Sequence, residues 1–99
     1  MKVQNITNNK GNAVKNQFII FESEFTIFQS YNSVIVKTCF EDGKRVIYLD
    51  SCYYSYSKTT VKYRNQFLGE TTKEIDAKIK SGEYKLTNLN WKEMLWKGK

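Results

Sequence analysis

From Gln17 onward the chain alternates in the two-residue period of a pleated strand. Phe18 and Ile20 fall on one side and Ile19 and Phe21 on the other; Phe25 and Ile27 then oppose Thr26 and Phe28. Glu22-Ser23-Glu24 reads as a first turn and Ser30 to Ser33 as a second. Two further runs flank Glu41-Asp42-Gly43-Lys44, which closes a hairpin between them. Pairing Phe40 with Arg45 puts Val34, Val36, Phe40, Ile47 and Leu49 on one face, and Ile35, Lys37, Cys39, Val46, Tyr48 and Asp50 on the other. The first face is apolar. The second is mixed, as in an antiparallel sheet covered on one side and partly wet on the other.

The cover comes from the next stretch, where the period changes. Ser57 precedes a helical run that stops at Gly69, and Thr71 with Glu74 forms a capping box for a second run that stops at Gly82. In the first run Thr60, Tyr63, Phe67 and Leu68 share one arc, while Lys58, Lys62 and Asn65 share the opposite one. The second helix, from Thr72 to about Ser81, has only Ile75, Ala77 and Ile79 to bury. Residues 83–89 alternate again and predict a closing strand. Asn90 then reads as the N-cap of a short turn that aligns Trp91, Met94 and Leu95 at i, i+3 and i+4. That stripe suits either a docking contact or a seal on one end of the core. Residues 1–15 are Asn-rich and without periodicity, which predicts a flexible polar arm. The expected architecture is thus an arm followed by one α+β domain over residues 16–99. The domain is an antiparallel meander of about four strands with two short helices packed on it, a closing strand and a C-terminal helical turn.

Composition narrows the setting. A chain of 99 residues that is 40% hydrophobic supports one modest core. It has no apolar run of membrane-spanning length, and its first 16 residues lack the apolar centre of a signal peptide, so a cytoplasmic protein with no membrane partner is expected. On the predicted hairpin Cys39 faces Val46, leaving Cys52 six residues further along the strand direction. That is about 20 Å at ~3.3 Å per residue, which implies two reduced thiols. The net charge of +6 suggests a phosphate-bearing partner, but the bases are 14 lysines and two arginines beside nine asparagines. Codon bias in an AT-rich genome produces that balance without selection for nucleic-acid contact, and arginine is the base that best fits phosphate and guanine.

Catalytic chemistry finds few candidates. Histidine is absent, two separated cysteines do not make a structural zinc site, and the five glycines form no phosphate loop. Glu22 and Glu24 would stand about 6.5 to 7 Å apart on one side of an extended chain, but a turn would solvate both. A non-enzymatic protein without cofactor or metal is expected, and function must come from surfaces. The candidate surface residues are Tyr53, Tyr54 and Tyr56, followed by Lys58, Lys62 and Arg64, together with Trp91. Aromatics interleaved with bases suit stacking on unpaired nucleobases and equally suit a protein interface. Rings packed at sheet edges with wet hydroxyls are a third arrangement.

Several short stretches carry a resemblance. Phe28-Gln-Ser-Tyr-Asn-Ser33, Tyr48-Leu-Asp50, Tyr56-Ser-Lys-Thr-Thr60, Tyr63-Arg-Asn-Gln-Phe-Leu-Gly-Glu70 and Lys80-Ser-Gly-Glu-Tyr84 resemble a small, functionally uncharacterised domain family found in proteins of phages, plasmids and their bacterial hosts. The similarity spans roughly residues 18 to 90. It implies a mobile-element setting and transfers no catalytic residue. Two functional expectations follow. In the first, the protein docks on a host protein or ribonucleoprotein complex and inhibits a nucleic-acid-targeting defence complex such as a CRISPR effector. In the second, it binds nucleic acid directly through Lys58, Lys62, Arg64, Tyr54 and Tyr56 as a regulatory or accessory protein. Oligomeric state is not written in the residues.

Overall fold

Turn chemistry lays out most of the chain. A computed structural model describes residues 1–90. Its elements run β1 (Lys2–Thr7), β2 (Ala13–Phe21), β3 (Phe25–Ser30), β4 (Ser33–Glu41), β5 (Lys44–Asp50), α1 (Lys58–Leu68), α2 (Thr72–Ser81) and β6 (Tyr84–Thr87). The β4–β5 turn places Asp42 at φ 54° and Gly43 at φ 79°, the pair of positive values that a two-residue hairpin loop needs. It sets the expected register, with Phe40 opposite Arg45 and Cys39 opposite Val46. The two thiols, Cys39 and Cys52, are free.

The sheet has six strands in chain order, one more than the meander of about four and the closing strand that the sequence predicts. The extra strand lies in the stretch expected to be a flexible arm, where β1 pairs antiparallel with β2. Three contacts hold this polar hairpin. Ile6 enters the main core at 3% exposure, and the Asn5 carboxamide donates to the carbonyls of Val14 at 2.6 Å and Gln17 at 3.0 Å. Its register slips between Asn5 and Thr7, which erases the period of two that a sequence reading looks for.

Nor is the sheet wholly antiparallel. The chain leaves β5 at Asp50, passes through both helices and returns alongside, so β6 pairs parallel to β5 with Tyr84 beside Ile47. A second correction concerns the faces. A bulge sets Phe28 opposite Val36 but Gln29 opposite Val34, leaving Ile35 as the extra residue. Val34 and Ile35 therefore exchange sides. Ile35 joins the core under the helices, and Val34 joins a smaller cluster with Ile27 and Leu89. Phe40, assigned to the core face, is 72% exposed at the hairpin end.

Both helices begin and end on the signals expected of them. The Ser57 hydroxyl accepts from the Thr60 N–H and Gly69 closes α1 in the left-handed region; Thr71 and Glu74 form a complete capping box and Gly82 closes α2 likewise. The helices bury Tyr63 and Ile75 against Phe28, Val36, Ile47 and Leu49, with Phe67 stacked on Phe28 at 5.8 Å between ring centres. Thr60 joins this core through its hydroxyl, 3.0 Å from that of Ser30. The opposite face carries the smaller cluster, with Ile20, Phe25 and Tyr48 packed against it. No helix among the described residues is long and apolar enough to cross a membrane. The expected C-terminal turn, with Trp91, Met94 and Leu95, lies outside the described residues.

Candidate functional site

Asp50 ends β5 and holds the loop that follows. It is 1% exposed and accepts three backbone N–H groups: Cys52 at 3.0 Å and Tyr53 at 2.9 Å on Oδ2, and Leu89 at 2.7 Å on Oδ1. The Tyr54 N–H adds a bond to the Asp50 carbonyl at 3.0 Å. One carboxylate thus fixes both the start of the tyrosine loop and the returning chain after β6. An aspartate closing a strand and bonding the N–H groups two and three residues on is an Asx-type turn, so the sequence did hold a signal for this role.

On that base the tyrosines separate. Tyr53 and Tyr56 project to solvent at 39% and 46% exposure and meet edge to face, with ring centres 5.3 Å apart at 82°. Tyr54 turns inward and packs against the main core. Beside Tyr56 lies a shallow open depression of about 440 Å³, lined by Ser55, Tyr56, Ser57, Lys58, Val61 and Lys62. Lys58 and Lys62 stand one helical turn apart on its rim. Neither forms an ion pair among the described residues, and the first turn of α1 has no acidic residue. The Lys62 ammonium lies 5.3 Å from the centre of the Tyr63 ring. Both charges remain available to a partner.

Arg64 does not belong to this surface, which corrects the expectation of three bases there. It is fully buried. Nη1 donates to the Tyr54 carbonyl at 2.7 Å, and Nε and Nη2 donate to Asn65 Oδ1 at 3.1 and 2.9 Å. Its guanidinium carbon sits 6.0 Å from the Tyr54 ring centre. Burial lowers the Arg64 pKa, opposed by the charge of Asp76. Thr60, Arg64 and Leu68 are spaced i, i+4 and i+8, so Arg64 falls inside the apolar arc of α1. The helical spacing alone could have removed it from the candidate surface. Of the seven candidate residues, Tyr53, Tyr56, Lys58 and Lys62 come together at the surface, Tyr54 and Arg64 support them from below, and Trp91 lies outside the described residues.

A second polar cluster ties the helices to the last strand. Glu70, just after α1, accepts from the Tyr84 hydroxyl at 2.6 and 2.9 Å and from Lys78 Nζ at 2.7 and 3.1 Å. Burial first, then the bond to Glu70, pushes the Tyr84 pKa up to about 12; the same carboxylate raises that of Lys78. Tyr48 is also pushed to about 12, mainly by its 2.7 Å bond to Glu41. Each of these tyrosine hydroxyls is thus engaged by a carboxylate, Tyr84 by Glu70 and Tyr48 by Glu41. The described residues contain no group of three or more His, Cys, Asp or Glu able to hold a metal ion.

What the geometry defines is a small α+β domain presenting a preorganised aromatic and basic patch. The chain belongs to a family of unknown function (DUF8033), whose model matches residues 1–83, from the first hairpin through α2. No curated protein and no solved structure matches it.

Proposed function

We propose that this is a non-enzymatic binding protein that docks on a host protein or ribonucleoprotein complex through Tyr53, Tyr56, Lys58 and Lys62. In this reading it inhibits a nucleic-acid-targeting defence complex in the setting that the mobile-element resemblance implies. One observation carries the reading: the edge-to-face tyrosine pair stands half exposed on a loop pinned by Asp50, next to two lysines that form no ion pair among the described residues. Rigid, half-exposed tyrosines supply contact area at little ordering cost, which suits an interface anchor. The lysines would meet an acidic surface on the partner.

The same patch supports a second reading, direct binding of single-stranded nucleic acid by stacking on Tyr53 and Tyr56. Magnitude ranks it lower. With Arg64 buried, two lysines neutralise about two phosphates, and a single strand then gives a log–log salt slope of only about −1.4. That is a weak electrostatic hold.

The test is expression in a host with an active nucleic-acid-targeting defence system, using phage plating as readout. The wild-type chain should restore plating and co-purify with a component of that system after nuclease treatment. Tyr53→Ala with Tyr56→Ala should lose both effects at a cost in stability of about 1–2 kcal/mol, the loss of one edge-to-face contact between half-exposed rings, and the doubly substituted chain should remain folded. Unchanged restriction together with no captured component would sink the docking reading. Capture of nucleic acid alone, lost on Lys58→Glu with Lys62→Glu, would favour the second.

A further inference from the structure

The two edges of the sheet are finished differently. At one, β6 offers four residues, with α2 packed against it and the Tyr84 hydroxyl tied to Glu70. At the other, β1 runs for six residues with β2 on one side and no strand among the described residues on the other. Every second residue of such an edge turns its N–H and C=O away from the sheet. The far end of this edge is already engaged, since the Ile6 carbonyl accepts from Asn5 Nδ2 at 3.1 Å and the Thr7 carbonyl from Gln66 Nε2 at 2.9 Å. The backbone from Lys2 to Asn5 carries no such side-chain cover. It is an open run about 13 Å long at ~3.3 Å per residue.

The side chains around the run define what can add to it. Val3, 54% exposed, stands beside Ile20 on one face of the sheet, and Phe21 is exposed across from Lys2 on the other. The lysines of the hairpin bracket the run, with Lys2 at its start, Lys10 in the turn beyond its end and Lys15 on β2. All three are exposed, and none forms an ion pair among the described residues. The chain has no acid before Glu22, which lies 3.9 Å from the Met1 amine. The same charges oppose a second copy. Antiparallel pairing of β1 with its own duplicate would lay the Lys2 end of one copy beside the Lys10 and Lys15 end of the other.

We propose that the outer edge of β1 takes up an extended acidic peptide segment as an added strand. Its main chain ladders on Lys2 to Asn5, an apolar side chain lies beside Val3, and carboxylates meet Lys2 at one end and Lys10 or Lys15 at the other. This surface involves none of Tyr53, Tyr56, Lys58 and Lys62 and does not depend on their role.

The probe is the end-blocked peptide Glu-Val-Thr-Val-Thr-Glu, titrated into the full nitrogen-15-labelled chain and followed by heteronuclear NMR. Saturable shifts should centre on the amides of Lys2 to Asn5 and their neighbours on β2. Of two versions of the peptide N-methylated at alternate residues, one should lose binding and the other keep it, because only every second N–H of an added strand faces its neighbour. Lys2→Glu with Lys10→Glu and Lys15→Glu should weaken binding about tenfold with the circular dichroism unchanged. Exchanging both glutamates of the peptide for lysine tests the same charges if that variant unfolds, and should likewise abolish binding. The absence of saturable shifts at millimolar peptide overturns the proposal. So does equal behaviour of the two N-methylated versions, shifts that map away from β1, or oligothymidylate binding at these lysines in the peptide's place. A dimer that broadens the β1 amides without peptide would make a second copy the occupant and overturn it too.

Discussion

Replacing Asp50 by asparagine exchanges one carboxylate oxygen for an amide nitrogen at a side chain that accepts three backbone N–H groups, two on one oxygen and one on the other. An amide can present its oxygen to only one of the two sides. If it faces Cys52 and Tyr53, its own N–H points at the Leu89 N–H; if it faces Leu89, two donors are stranded. At least one backbone N–H is left unsatisfied in a buried site, which costs about 1–3 kcal/mol. The surviving bonds lose their charge assistance, and with it about half their strength. Together these give about 3 kcal/mol, or about 12–24 °C in midpoint at the ~4–8 °C per kcal/mol of a domain this size. Thermal and urea unfolding followed by circular dichroism would measure it. Asp50→Ala should cost more, since it abandons all three donors. A loss below about 1 kcal/mol for Asp50→Asn, or an alanine variant no worse than the asparagine one, would refute the argument that Asp50 locks the tyrosine loop and the returning chain together.

Three further outcomes are expected. Tyr84 and Tyr48 titrate near 12 in the fold against 10 in the unfolded chain, so the stability they contribute is complete below pH 10 and is lost as pH rises through 12. A tyrosinate absorbance titration should show a late-titrating component, and Tyr84→Phe should flatten the fall in stability over that window. The carboxamide of Gln17 is fully buried with no hydrogen-bond partner for either atom among the described residues, so Gln17→Met should raise stability by about 1–2 kcal/mol in urea unfolding. Arg64→Met should destabilise by about 1–3 kcal/mol by stranding the Tyr54 carbonyl, and weaken partner binding less than Lys58→Glu with Lys62→Glu, which should leave stability nearly unchanged.

The parts of this fold that were legible are those written in local chemistry. Ser57, Gly69, Thr71, Glu74 and Gly82 bound both helices because capping needs only a few neighbouring atoms. The Phe40–Arg45 register followed from one turn. β1 was not legible because a strand with one buried side chain and a slipped register carries no period; its stability comes from pairing with β2. The exchange of Val34 and Ile35 was hidden for another reason, since both residues are apolar and either fits either face until the bulge decides. At the candidate site, Lys58 and Lys62 were readable as an exposed pair, whereas Tyr53, Tyr54 and Tyr56 gave no hint of which would turn inward. The stretches that carried the family resemblance prove largely structural: Ser57 and Thr60 start α1, Arg64 and Asn65 form its bond network, and Glu70 and Tyr84 tie the turn between the helices to β6. They record a way of folding, which is why the resemblance they carry transfers no chemistry.

A sheet whose strands follow chain order from β1 to β5 is assembled by successive hairpins, each closing a short loop. The contacts of the C-terminal seam are different in kind. Leu89 reaches Asp50 across 39 residues, and Asn90 reaches Val34 across 56. Loop closure at those lengths is entropically costlier than at a hairpin, and β6 offers only four residues in return. The meander can therefore form early with the seam still open, and the seam is the unit that detaches first from the native state. In native-state hydrogen exchange the amides of β6 and the Leu89 N–H would open at lower free energy than those of β3 and β4. The tyrosine loop would share their fate, since the same carboxylate holds it.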